Sequence, residues 1–127
     1  ATDEYPILFV IAAMIKGTSV FKGIKDLANK ESNRIEEMKK LLNQIGIKCQ
    51  STKSKMKIFG TRKLKKMNKI KVPNLGDHRI CMSAVVLSLA TGIKAEIKNF
   101  ETVKTSSPSF LKIIKSLGGK FEIKKKL

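Results

Sequence analysis

GDHRICMSAVVLSLATG, residues 76–92, decides the fold once it is laid over DEYPILFVIAAMIKG, residues 3–17. Each stretch opens near an aspartate, runs for about three turns of mostly apolar residues and stops at a glycine. That is the pattern of a helix entered through an N-cap and closed by a residue free to take positive φ. Asp3 and Asp77 stand 74 positions apart, Lys30 and Lys104 likewise, Gly17 and Gly92 stand 75 apart, and Gly46 and Gly119 73. Offsets this constant imply two copies of one α/β unit, at about 3–60 and 69–124.

Working outward, Ile7, Leu8, Ile11 and Ile15 fit a helix entered through Thr2 or Asp3, with Pro6 tolerated in the first turn. Thr18 to Lys22 reads as a strand, and Gly23 to Lys30 as a loop or second short strand. Ser32 is an N-cap candidate for a helix through Ile35, Met38, Leu41, Leu42 and Ile45 to Gly46. Strands are expected at Ile47 to Gln50, Met56 to Phe59 and about Lys69 to Val72. The helix from Gly76 and Asp77 should reach about Ala90, followed by a strand at Ile93 to Lys98, a helix from Ser107 and Pro108 to Leu117, and a strand at Lys120 to Lys124. The fold class is therefore α/β (α+β), with about one and a half to two βαβαββ units. The first copy begins at its helix, so its opening strand is expected upstream of Ala1.

Composition narrows the partners. With 27 Lys plus Arg against 10 Asp plus Glu the net charge is +17, which favours an anionic substrate or surface. The excess is uneven: Met38 to Gly76 holds twelve basic residues and no acid. Phe59 is the only aromatic in that run, so the stacking platform of single-strand binders is missing and a solvated lysine-rich face is the simpler reading. Ile7 to Ile15 is too short to cross a bilayer, which needs about 20 residues, and no leader pattern precedes it. A cytoplasmic protein is expected. Cys49 and Cys81 lie far apart in apolar segments, as small core residues do, without metal-site or disulfide spacing.

The polar groups gather at helix entrances. Asp3 and Glu4 open the first helix, Lys30, Glu31 and Arg34 lead into the second, Asp77, His78 and Arg79 open the third, and Lys104 and Thr105 precede the fourth. Helix N-termini carry unpaired amides and partial positive charge, so several converging with arginines would bind phosphate or carboxylate. Carboxylates held among such cations would serve proton transfer. The same residues also fit plainer duties. Asp3 and Asp77 could be caps alone, Glu31 and Arg34 a surface pair, His78 a local hydrogen-bonding group and Lys104 one lysine among many.

ATDEYP at 1–6, KESNR at 30–34, GDHRICMS at 76–83 and KTSSPSF at 104–110 resemble, in order and spacing, the C-terminal motifs of the 5-enolpyruvylshikimate-3-phosphate synthases. The resemblance spans nearly the whole chain. It implies a transferase of two domains, each of three copies of the unit, with the site in the cleft between them and this chain supplying the last copies of one domain. The reaction implied joins phosphoenolpyruvate to the 5-hydroxyl of shikimate 3-phosphate through a tetrahedral intermediate and releases phosphate, without metal or organic cofactor. By similarity Asp3 and Glu31 are the proton-shuttling carboxylates, and Lys104 is the lysine near the leaving phosphate. Arg34 and Arg79 look like the phosphoenolpyruvate clamp, Lys30 a shikimate 3-phosphate contact, and His78 a contact beside the phosphoenolpyruvate site. Ala28 and Asn29 depart from the usual pair before the lysine of the second motif, and Asp26 stands where an asparagine is common. Ser107 replaces a frequent phenylalanine, and Cys81 a frequent alanine. The UDP-N-acetylglucosamine enolpyruvyl transferases share the architecture, but their cysteine-bearing loop is not visible here. A basic anion- or nucleic-acid-binding module reusing the fold is the alternative from another class.

Overall fold

Three helices and five strands form a mixed α/β arrangement in the computed structural model, which describes residues 5–30, 33–64, 69–73 and 77–98. In chain order these are α1 Tyr5–Met14, β1 Gly17–Lys22, a 3-10 turn Lys25–Asn29, α2 Arg34–Gln44, β2 Lys48–Ser51, β3 Lys55–Gly60, β4 Lys69–Val72, α3 His78–Thr91 and β5 Lys94–Ile97. The expected helix after Ser107 and the strand at Lys120 lie outside the described residues.

β1, β3 and β2 make one antiparallel sheet with β3 central, so β1 and β2 run parallel to each other at its edges. β4 and β5 pair in parallel across α3, a strand, helix and strand crossover. The alternation of β3 decides which side of the larger sheet is core. Met56 and Ile58 are wholly buried, while Lys55, Lys57 and Phe59 point the other way. The register adds Lys22 opposite Lys55, Val20 opposite Lys57 and Lys48 opposite Phe59, so the outer face is basic, with the Lys57 ammonium 5.3 Å from the Phe59 ring centre.

α2 is amphipathic and its buried stripe is the expected one: Ile35, Met38, Leu41, Leu42 and Ile45. Its cap is Asn33, not Ser32. The Asn33 side chain accepts from the Glu36 amide at 3.2 Å, the usual capping geometry one residue later than expected. Residues 23–30 form neither strand nor open loop, because Leu27 is drawn fully into the core and its amide bonds to the Ile24 carbonyl, closing a 3-10 turn. α3 is capped by Asp77 and closed by Gly92, whose amide makes the last helical bond, to the Ser88 carbonyl, and whose φ of 74° turns the chain out of the helix.

α1 corrects the simple periodic reading. Leu8, Ile11 and Ile15 are 40, 49 and 59% exposed, while Pro6, Phe9, Val10, Ala12 and Ala13 face the core. A helix apolar on every side offers no polar stripe to set its phase. Phe9 and Phe21 meet edge to face at 4.9 Å between centroids, with Tyr5 against both, which docks α1 on β1.

Candidate functional site

The entrances of α2 and α3 adjoin, and a buried ion pair joins them. Arg34, the first residue of α2, gives its Nε to Asp77 Oδ2 at 3.0 Å and its Nη2 to Asp77 Oδ1 at 3.2 Å. Asp77 is the N-cap of α3, and its Oδ1 also accepts from the Arg79 amide at 3.1 Å. The two side chains are 1% and 0% exposed. Two parallel N–H to oxygen bonds orient the planar guanidinium as well as hold it. The partial positive charge of two helix N-termini is thereby brought close together.

Around this pair, His78 and Arg79 occupy the first two positions of α3 and are half-buried. The Arg79 carbonyl receives the hydroxyl of fully buried Ser83 at 2.9 Å, tying the first turn of α3 to its core-facing side. Lys30 closes the 3-10 turn in extended conformation, three positions before the α2 cap, and is exposed. Of the residues expected in the site, the structure thus links Arg34 to the segment carrying His78 and Arg79 and places Lys30 on the approach to α2. Asp3, Glu31 and Lys104 lie outside the described residues.

The sequence offers Asp77 either as a plain cap or as one of the polar groups at the α3 entrance, and carries no sign of its grip on Arg34. No local signal reports a contact 43 positions away. A cap requires one acceptor, which Ser, Thr or Asn supplies equally well, so an aspartate at that position is only a weak hint.

Both cysteines are free thiols and buried. Burial pushes both Cys49 and Cys81 up to about 11, with the Asp77 charge adding to the effect at Cys81, so each stays protonated at neutral pH. Among the described residues no three His, Cys, Asp or Glu side chains gather as a metal site would need. A separate groove of about 250 Å³ runs between α2 and β4, where the Gln44 amide gives and takes 2.8 Å bonds with the Lys71 backbone. It contains none of the expected site residues.

The profile of the family described as EPSP synthase (3-phosphoshikimate 1-carboxyvinyltransferase) matches residues 1–114. This chain belongs to the EPSP synthase family. It is similar to the 3-phosphoshikimate 1-carboxyvinyltransferase of Methylococcus capsulatus, 37% identical over 123 residues that cover 97% of this chain and 27% of the relative. It is likewise similar to that of Campylobacter jejuni, 37% identical over 120 residues covering 94% and 27%. Among solved structures, EPSP synthase from Acinetobacter baumannii superposes with a TM-score of 0.80 at 32% identity, over 98% of this chain and 29% of that one. The α/β fold is that of the EPSP synthases. The chain spans about a quarter of the length of the curated relatives it matches.

Proposed function

We propose that this chain is part of a transferase that moves the enolpyruvyl group of phosphoenolpyruvate onto the 5-hydroxyl of shikimate 3-phosphate with release of phosphate, a step of aromatic amino acid biosynthesis in the cytoplasm. The observation that carries this reading is the gathering of Arg34 and the Arg79 segment at one buried carboxylate, where α2 and α3 begin. Family membership supplies the substrates: both are phosphate-bearing anions, and two arginines at adjoining helix entrances suit such groups.

In this reading Arg34 and Arg79 clamp phosphoenolpyruvate, with His78 beside it and Lys30 touching shikimate 3-phosphate. The carboxylates Asp3 and Glu31 take the proton from the 5-hydroxyl and deliver a proton to the phosphoenolpyruvate methylene. The hydroxyl oxygen then bonds to the carbon bearing the phosphate, giving the tetrahedral intermediate. Loss of phosphate beside Lys104, with return of a methyl proton to a carboxylate, leaves the enol ether. No metal or organic cofactor enters these steps. The internal copies at about 3–60 and 69–124 belong to one domain, and the remainder of the same enzyme supplies the facing wall of the cleft. Neither a membrane nor a specific nucleic acid is a partner.

A phosphate-release assay with both substrates tests the reading. The complete enzyme should turn over, and Glu31→Gln should lower kcat by about 10²- to 10⁴-fold, the range for a lost proton-transfer group. The 127-residue chain alone should release no phosphate, since half of the positioning groups and the water-excluding wall are absent. A complete enzyme without turnover refutes the assignment. Turnover by the chain alone, abolished by Asp3→Asn, refutes the need for the facing wall.

A further inference from the structure

We infer that Asp77 is a positioning residue for phosphoenolpyruvate, acting through Arg34. The inference rests on the functional reading above and extends it by giving a role to Asp77, which that reading takes only as the meeting point of Arg34 and the Arg79 amide. Capping α3 occupies one acceptor site of the Asp77 carboxylate, and the cap bond to the Arg79 amide would survive in an asparagine. The grip on Arg34 takes both oxygens side by side, and only a carboxylate can offer that to Nε and Nη2 together.

Burial makes the pair expensive to keep for stability alone. Both groups have left water, and a buried ion pair is often no more stabilising than packed apolar residues of equal volume. What the pair does supply is orientation. An arginine has several rotatable bonds, and pinning two nitrogens of a planar guanidinium fixes the direction of all its N–H groups before a ligand arrives. The same carboxylate holds the Arg79 amide, so the start of α3 and the head of Arg34 are placed relative to each other by one group. Two arginines proposed to clamp one small anion need that relation, because a misplacement of about 1 Å can cost as much as a hundred-fold in rate.

Kinetics on the complete enzyme test this, with Asp77→Asn, Asp77→Glu, Arg34→Lys and the double variant Asp77→Asn/Arg34→Lys. Asparagine keeps the cap and the volume but loses the charge and half of the grip. The phosphoenolpyruvate KM should rise at least about ten-fold in Asp77→Asn, while the shikimate 3-phosphate KM stays within about two-fold. In the Arg34→Lys background the same substitution should change the phosphoenolpyruvate KM by less than about three-fold, because the group through which it acts is already altered. Asp77→Glu retains the charge one methylene further out, so its Tm should lie nearer the wild type than that of Asp77→Asn while its phosphoenolpyruvate KM stays raised. An unchanged phosphoenolpyruvate KM in Asp77→Glu overturns the inference, and this variant decides the matter if Asp77→Asn does not fold. Equal rises in both KM values, or full multiplicative effects in the double variant, also overturn it, since those mark general loosening. A wild type that turns over beside unaffected variants removes this inference alone. A wild type without turnover removes the functional reading with it.

Discussion

Arg34 and Cys81 stand in the same packed interior and illustrate opposite treatments of an ionisable side chain. Arg34 stays charged because Asp77 meets it with two oxygens, and removing one partner of such a pair typically costs about 3–5 kcal/mol, since the other charge is left buried. Cys81 and Cys49 are instead kept neutral by burial, with thiols held up to about 11. The consequence for pH has a definite sign. A thiol whose folded pKa lies above its unfolded value of 9.0 binds its proton more tightly in the folded state. Its contribution is fully present below pH 9.0 and is lost as pH rises toward about 11. Thermal melts of the chain should show Tm falling through that window, and the fall should be shallower in Cys49→Ala/Cys81→Ala; an unchanged slope in the double variant counts against the thiols as its source.

At the scale of elements, close approach matters more than propensity. Gly60, the last residue of β3, lies against the final turn of α1, and a Cβ placed there would collide with the Ile15 and Ala12 carbonyl oxygens. The next amide, Thr61, bonds to the Ala13 carbonyl at 3.2 Å, so strand and helix end are locked together by backbone. Backbone cannot swing aside as a flexible side chain does. Gly60→Ala should therefore destabilise the chain by about 3 kcal/mol, at the upper end of overpacking costs, read as a lower urea midpoint with unchanged m value. A midpoint within error of the wild type would show that α1 can slide on β3. Gln44 provides a second link of this kind. Its side-chain amide pairs with both backbone groups of Lys71, which fastens the end of α2 to β4.

Over the whole molecule, charge and apolar surface are distributed differently. Lys22, Lys48, Lys55 and Lys57 share the outer face of the larger sheet, with Lys22 directly across from Lys55, an unfavourable like-charge pair in the absence of an anion. Such a face should hold polyanions through charge alone. Retention on duplex DNA is expected at low salt, with no sequence preference, and with affinity falling linearly in logarithmic salt. Lys48→Gln/Lys55→Gln/Lys57→Gln should reduce that slope by up to about 3, near one unit for each phosphate no longer neutralised. Sequence-preferring binding that persists at physiological salt would instead favour a nucleic-acid module. Leu8 and Ile11 of α1, with Ile15 just past its end, are exposed apolar residues, and a helix apolar all round is typical of one surrounded by protein. This accords with a chain spanning about a quarter of its relatives. Among the described residues no helix is long and apolar enough to cross a membrane.

What the sequence determined alone was whatever is written in local periodicity and end signals: α2 with its buried Ile35, Met38 and Leu42, α3 between Asp77 and Gly92, and the strands on either side. The motifs at 30–34 and 76–83 also carried the family resemblance, because they are short, ordered and charged at helix entrances. Tertiary structure decided the rest. The buried side of α1 could not be read from a helix without a polar face, so packing against α2, α3 and β3, with Phe21 of β1 against Phe9, chose Phe9, Ala12 and Ala13 over Leu8 and Ile11. Residues 25–29 coil into a 3-10 turn because the core takes in Leu27, a demand invisible in a polar segment. The pairing of Arg34 with Asp77 depends on two helix entrances meeting after the chain has folded, and sequence periodicity carries no information about contacts 43 positions apart.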